Sequence, residues 1–197
     1  MKLIGMLDSP YVRRVAICLK ILKVPFEHRS VSVFSTYAEF QTINPVVKAP
    51  TLVLEDGRVL MDSSLILQYV DPASLLWPAE PVARARAFRL TGLALAACEK
   101  AVQVVYEHNL RPQEKLHAPW LERVQSQLAA AWTELESELA SQPFADEPGN
   151  AEVSVAVAWS FARMMVPELA DPKRYPLLAS FADSLERLPV FVDTPAV

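Results

Sequence analysis

Residues 1–70 alternate between two hydrophobic periods, in an order that few folds accommodate. Short apolar runs and helical patterns follow one another as β-α-β-α-β-β-α. Leu3 to Leu7 has the length of a buried strand. A polar turn follows, then a helix on which Val12, Val15, Leu19 and Leu22 recur at spacings of three and four, with Arg13, Lys20 and Lys23 off the stripe. Val24-Pro25 ends that helix. Phe26 to Val33 alternates in part and predicts a second strand, and Ser35 to Ile43 a short helix or turn closed by Asn44-Pro45. Thr51 to Glu55 and Arg58 to Met61 are strands joined by Asp56-Gly57, a strong hairpin turn. Asp62-Ser63-Ser64 caps a helix over Leu65 to Val70.

After this the strand pattern stops. Asp71-Pro72 through Glu80-Pro81 is irregular and carries three prolines, as a linker does. Four helical patterns follow: Val82 to His108, Trp120 to Leu139, Ala151 to Val166 stopped by Pro167, and Tyr175 to Leu188 stopped by Pro189, with Pro143 to Asn150 as a loop. A βαβ unit followed by a ββα unit is the thioredoxin-like arrangement. The expected architecture is an α/β N-terminal thioredoxin-like domain over 1–72, a linker over 73–81, and an all-α C-terminal helical domain over 82–197.

Composition removes several classes of function. The formal charge is −4 and no Lys/Arg-rich block occurs, so neither nucleic acid nor an anionic membrane surface is an expected partner. Leu93 to Val105, the most apolar stretch, is too short for a bilayer and is broken by Glu99 and Lys100. The N-terminus runs straight into a strand pattern without the basic flank and cleavage site of a signal peptide. Cys18 and Cys98 lie far apart within apolar helical patterns and read as buried thiols, and His28, His108 and His117 are scattered, so no metal is expected. These features together predict a cytoplasmic protein.

The chemistry concentrates where the first strand hands over to the first helix. Ser9 is a good N-cap and Pro10 suits the first helical position, so free N–H groups and the positive end of the helix dipole lie beside the Ser9 hydroxyl. Such a place can hold a carboxylate, a phosphate or a thiolate; Ser-Pro is equally an ordinary cap. Thioredoxins carry Cys-x-x-Cys here. This chain has Ser9-Pro10-Tyr11-Val12, which leaves no thiol to attack a disulfide. Pro50 stands where the thioredoxin-like fold has a cis-proline facing that helix N-terminus.

Three motifs in order carry a resemblance that covers essentially the whole chain. They are Ser9-Pro10-Tyr11 with Arg13-Arg14-Val15; Asn44-Pro45-x-x-Lys48-Ala49-Pro50-x-Leu52; and Asp62-Ser63 with Ile66 and Tyr69. The sequence resembles the serine-type cytosolic glutathione S-transferases, and the first motif is nearest in form to small bacterial members. The resemblance implies a glutathione transferase that activates the thiol of glutathione, its co-substrate, for attack on a small apolar electrophile. By it, Ser9 is the catalytic hydroxyl, donating a hydrogen bond to the thiolate. Asp62 and Ser63 hold the γ-glutamyl end, Ala49 before Pro50 pairs its backbone with the cysteinyl unit, and Lys48 meets a carboxylate. The second-substrate pocket lies between the domains in this family, with Tyr11, Tyr106, Trp159 and Met164 as candidates, or as plain core residues. A homodimer is implied, with the apolar helix Leu90 to Val105 at its interface or in the core.

Other readings stay open. Asp62 and Ser63 also suit a helix cap, and Lys48 a solvated surface charge. A non-catalytic module of the same fold that binds a protein partner is the rival function, and a glutathione-dependent reductase a weaker one, since no cysteine occupies the Ser9 position. Asp8 places a carboxylate beside Ser9, where a thiolate would be repelled; strand alternation directs it outward, toward Arg13 or Arg14. Gly149 and Glu152 supply half of the capping box expected at the start of the late apolar helix.

Overall fold

The computed structural model describes residues 1–144 and 147–196; Ala145 and Asp146, inside the loop expected over Pro143 to Asn150, lie outside the described residues. The chain packs as two units. One comprises Met1–Trp77 together with the segment from Arg187 onward, and the other comprises Pro78–Glu186.

The first unit holds a four-stranded sheet in the order β2-β1-β3-β4, built from β1 (Lys2–Ile4), β2 (Glu27–Arg29), β3 (Thr51–Val53) and β4 (Val59–Leu60). β1 runs parallel to β2 and antiparallel to β3, with Ile4 opposite Thr51. The strands are shorter than their apolar patterns predict. β1 stops at Ile4 because Gly5 turns the chain at φ +136°, a conformation L side chains rarely adopt. Leu3 and Ile4 point to opposite faces and both are buried, so each face of the sheet is covered. Ile4 joins Val31 and Phe40 of α2 (Tyr37–Ile43) in a cluster to which Val47, Ala49 and Val53 add. α1 (Pro10–Ile21) packs on β1 and on α3 (Ser63–Val70).

Every residue of α1 from Val12 to Leu19 is buried, Arg13 and Arg14 included. An amphipathic helix with its arginines in solvent is the expectation from periodicity. The reason for the difference lies at the other end of the chain. Pro189, expected only to stop the last helix, opens a further short one, α8 (Pro189–Val192), which packs on α1. Residues from Arg187 on therefore belong with the sheet, although the sequence pattern places them in the helical domain.

The second unit is helical, with α4 (Pro81–Leu110), α5 (Ala118–Ser141), α6 (Asn150–Met165) and α7 (Pro176–Glu186). α6 is buried on almost every side, as its continuous apolar character requires, and packs against α4 and α7. Its start shows the reciprocal half of a capping box: the Glu152 carboxylate accepts the Gly149 N–H at 3.0 Å. The apolar face of α4, including Leu90, Ala94, Ala97, Ala101 and Val104, is consumed inside this unit. Glu136 of α5 accepts the N–H groups of Leu177 and Leu178 at 2.9 and 2.8 Å, capping α7 from a neighbouring helix.

Candidate active site

Three segments converge in the first unit. Because Ile4 pairs with Thr51, the turn leaving β1 (residues 5–9) and the loop entering β3 (residues 44–50) lie at the same end of the sheet. The third segment, the start of α3, is tied to α1 by Arg14, whose guanidinium donates to Ser63 Oγ at 2.9 Å and Ser64 Oγ at 3.3 Å. Gly5 is what lets the first two segments approach: a Cβ there would stand 2.6 Å from Val12 Cγ2 and 3.2 Å from Ala49 Cβ.

Ser9 is the N-cap residue of α1, with φ −70° and ψ 122°, and its side chain makes no capping hydrogen bond. The hydroxyl is thus not consumed by the role that most N-cap serines perform. It sits half-buried beside the N–H groups of the first turn of α1, which lack intrahelical partners. Asp8 is half-buried too. Arg13 and Arg14, the expected outward partners of its carboxylate, are drawn into the interior instead, Arg13 onto Thr194 and Arg14 onto Ser63.

The Ala49–Pro50 peptide is cis. Among the described residues, neither the N–H nor the carbonyl of Ala49 enters a backbone hydrogen bond, so this residue presents an open strand edge. The loop that carries it is held from within. Asn44, 3 % exposed, donates from Nδ2 to Thr51 Oγ1 at 2.9 Å and accepts the Val46 N–H at 3.1 Å, and the Thr51 hydroxyl donates to the Lys48 carbonyl at 2.7 Å. Val47 adopts φ 51°, costly for a β-branched residue, while its side chain packs on the Ile4, Val31 and Phe40 cluster. Lys48 is exposed at the rim.

Asp62 caps α3, accepting the Ser64 N–H on Oδ1 at 2.7 Å. Its remaining carboxylate oxygen can still face an ammonium. Ser63 is buried and accepts from Arg14, which leaves its own O–H proton to donate. If Ser63 holds the γ-glutamyl carboxylate, as the sequence resemblance implies, Ser63→Ala is expected to weaken glutathione binding by about 1–3 kcal/mol, the worth of one hydrogen bond to a charged group. Calorimetric titration of the variant measures it, and an affinity equal to that of the native chain would reduce Ser63 to a helix residue held by Arg14.

The sequence pattern shows Arg13-Arg14 as a motif without saying what either arginine touches. It also passes over Gly5, and it shows Asn44 as a motif residue without its partner Thr51. The available signals were a lone glycine inside an apolar run and an Asn-Pro closing α2. Of the second-substrate candidates, Tyr11 is half-buried near the start of α1 and Tyr106 is exposed on α4. Trp159 is buried within the helical unit, edge-on to Trp132 and Tyr175 at 5.4 and 6.1 Å. Met164, at the end of α6, is exposed.

Cys18 is fully buried on α1. Desolvation pushes its thiol from 9.0 to about 12, against a lowering by Arg14 and with a further rise from Asp71. Because the folded value exceeds the unfolded one, this group's contribution to stability is complete below pH 9 and is lost as pH rises toward 12. The native protein is expected to resist thiol-specific reagents at Cys18 at pH 8 and to react there only after unfolding. Mass-spectrometric mapping of the label checks this, and labelling of Cys18 in the folded state would contradict its burial.

Two family models match the chain: the glutathione S-transferase N-terminal domain over residues 3–74 and the glutathione S-transferase C-terminal domain over residues 118–184. A glutathione transferase family member from Pseudomonas fluorescens Pf-5, solved with bound S-(propanoic acid)-glutathione, is 30 % identical with a TM-score of 0.81, the match covering 98 % of each chain. The chain belongs to the glutathione S-transferase family. A glutathione S-transferase from Methylobacterium radiotolerans, in complex with glutathione sulfonate, is 28 % identical with a TM-score of 0.90, covering 98 % of this chain and 93 % of that one. Glutathione S-transferase U4 of Arabidopsis thaliana is 32 % identical over 81 residues, 41 % of this chain; the match spans about a third (35 %) of that curated relative's length. The thioredoxin-like sheet unit and the helical unit are the fold of this family. Among the described residues no helix is long and apolar enough to cross a membrane.

Proposed function

We propose that this glutathione S-transferase family member is a catalyst that binds glutathione along the three converging segments and activates its thiol at Ser9. The observation that carries this is the Ser9 hydroxyl, placed at the N-terminus of α1 and unused as a cap. Glutathione is an extended tripeptide with two carboxylates, one ammonium and one thiol. The start of α3 supplies Ser63 and a helix N-terminus for the γ-glutamyl carboxylate, and Asp62 suits the ammonium. The open backbone of Ala49 beside Pro50 suits the cysteinyl unit as one more strand. Lys48 suits the glycyl carboxylate.

The thiol then reaches Ser9. A thiol of ordinary pKa is only a few per cent ionised at neutral pH. A hydrogen bond from Ser9 and the partial positive charge of the α1 N-terminus favour the thiolate, and the hydroxyl alone is worth about 2–4 kcal/mol by analogy with a single oxyanion donor. The sulfur forms a bond to an electrophilic carbon of a small apolar substrate, and the leaving group departs with the bonding pair. Tyr11 is the candidate for the electrophile's side of the site within this unit. The relatives crystallised with glutathione sulfonate and with a glutathione conjugate support the choice of ligand. A homodimer in the cytoplasm belongs to the same proposal, and Leu65 and Tyr69 on the exposed side of α3 are apolar groups that a second copy would cover.

The test is retention on immobilised glutathione with elution by free glutathione, followed by turnover of a chromogenic aryl halide. Retention with turnover supports the enzyme. Retention without turnover of any electrophile in a broad panel favours the non-catalytic binding module, and absence of retention removes glutathione as the ligand.

A further inference from the structure

We infer that the segment 187–196 is a positioning device for Ser9: it clamps the first turn of α1 through Arg13 and thereby sets where the Ser9 hydroxyl stands. This rests on the proposed role of Ser9. Arg13 is 3 % exposed, and a buried guanidinium needs partners. It finds them in this segment: Nε donates to the Thr194 carbonyl at 2.7 Å, and the cation lies 5.6 Å from the centre of the Phe191 ring, which is itself fully buried. The Arg13 backbone N–H donates to the Ser9 carbonyl at 3.0 Å, closing the first turn of α1 directly on Ser9. Any shift of Arg13 is therefore passed to Ser9 through one hydrogen bond.

The same segment grips α1 a second time. Lys20 pairs with Asp193 at 3.4 Å, so the two contacts lie about 10 Å apart along the helix axis. Asp193 and Thr194 also wall a cleft of about 350 Å³ whose other side includes Leu7, two residues before Ser9, together with Ala16 and Lys20. Helix α1 is thus held between the sheet and this segment. The groups assigned to the ends of glutathione, on α3 and on the loop before β3, make none of these contacts. Loosening the clamp should consequently affect thiol activation more than glutathione binding.

Two variants separate position from charge and from folding. Arg13→Lys keeps the positive charge but loses the Nε–H that donates to Thr194 and the guanidinium beside the Phe191 ring, and Phe191→Ala removes the buried anchor. Each is expected to speed amide exchange in the first turn of α1. Each should also lower kcat about tenfold, since small misplacements of a reacting group cost this much or more. The glutathione KM should change less than about threefold, and the thiol pKa of bound glutathione, read from thiolate ultraviolet absorbance, should rise about one unit to match the tenfold loss. Unchanged amide exchange in Arg13→Lys would show that the segment does not hold the turn. Faster exchange with native kcat and thiol pKa would show that the turn does not set Ser9. Ser9→Ala is run beside them: if it is silent, the role of Ser9 falls and the clamp's role with it, whereas an impaired Ser9→Ala beside a native-like Arg13→Lys overturns the clamp alone. Should Phe191→Ala fail to fold, Arg13→Lys decides by itself.

Discussion

Ser9→Ala is expected to lower the rate of glutathione conjugation well over tenfold while leaving the fold untouched. The first half follows from the chemistry: about 2–4 kcal/mol of thiolate stabilisation from one hydroxyl corresponds to a loss larger than tenfold. The second half follows from the structure. An N-cap serine normally contributes about 1 kcal/mol to its helix. Here the side chain makes no capping bond, so that contribution is absent and the urea midpoint should not move. Glutathione affinity should change less than turnover, because the proposed pose holds the peptide ends on α3 and on the loop before β3. Steady-state kinetics with an aryl halide, calorimetric titration with glutathione and a denaturation curve check the three statements together. Unchanged turnover would remove Ser9 from the mechanism, and a large drop in stability would restore it as a structural cap.

Gly5→Ala should do the reverse and strike folding first. At φ +136° an L residue is strained by about 1–2 kcal/mol. The new methyl would also lie 2.6 Å from Val12 Cγ2, on a helix whose residues from Val12 to Leu19 are all buried, so the helix cannot step aside freely. Overpacking of this kind costs about 1–3 kcal/mol more. The sum, about 3 kcal/mol, is a large share of the stability of a domain this size. Urea denaturation is the measure. Because the added methyl also presses on Ala49, the surviving folded protein should bind glutathione more weakly, and a variant with native stability and affinity would show that the turn relaxes without cost.

The order of strands and helices was legible because each element carries its own signal. Period-two runs, period-three-to-four stripes, Asp56-Gly57 and the prolines at helix starts are local, and local rules found them. Ser9, Ala49-Pro50 and Asp62-Ser63 were legible as candidates for the same reason: an N-cap followed by proline, or an Asp-Ser pair before a helix, is written in adjacent residues. The N-terminal strand and the strands of the hairpin are shorter than their patterns because an apolar run signals burial, not ladder length: β1 ends where Gly5 turns the chain, and Leu54, buried, already closes the hairpin turn through its N–H to the Arg58 carbonyl at 2.9 Å.

What the sequence determined by itself, then, was the inventory of elements, their order, and the residues at the helix starts that point to an anionic ligand. What only the tertiary structure decided was which faces are covered. Arg13 and Arg14 lie off the apolar stripe of α1, where a charge reads as solvated. Both are buried because α3 brings Ser63 to one of them, and α8 with the residues after it brings Phe191 and Thr194 to the other, from 181 residues away in the last case. Pro189 illustrates the same limit: proline stops one helix and starts the next by one physical property, its fixed φ without an N–H, and the choice between them depends on the surface against which the following residues can be buried.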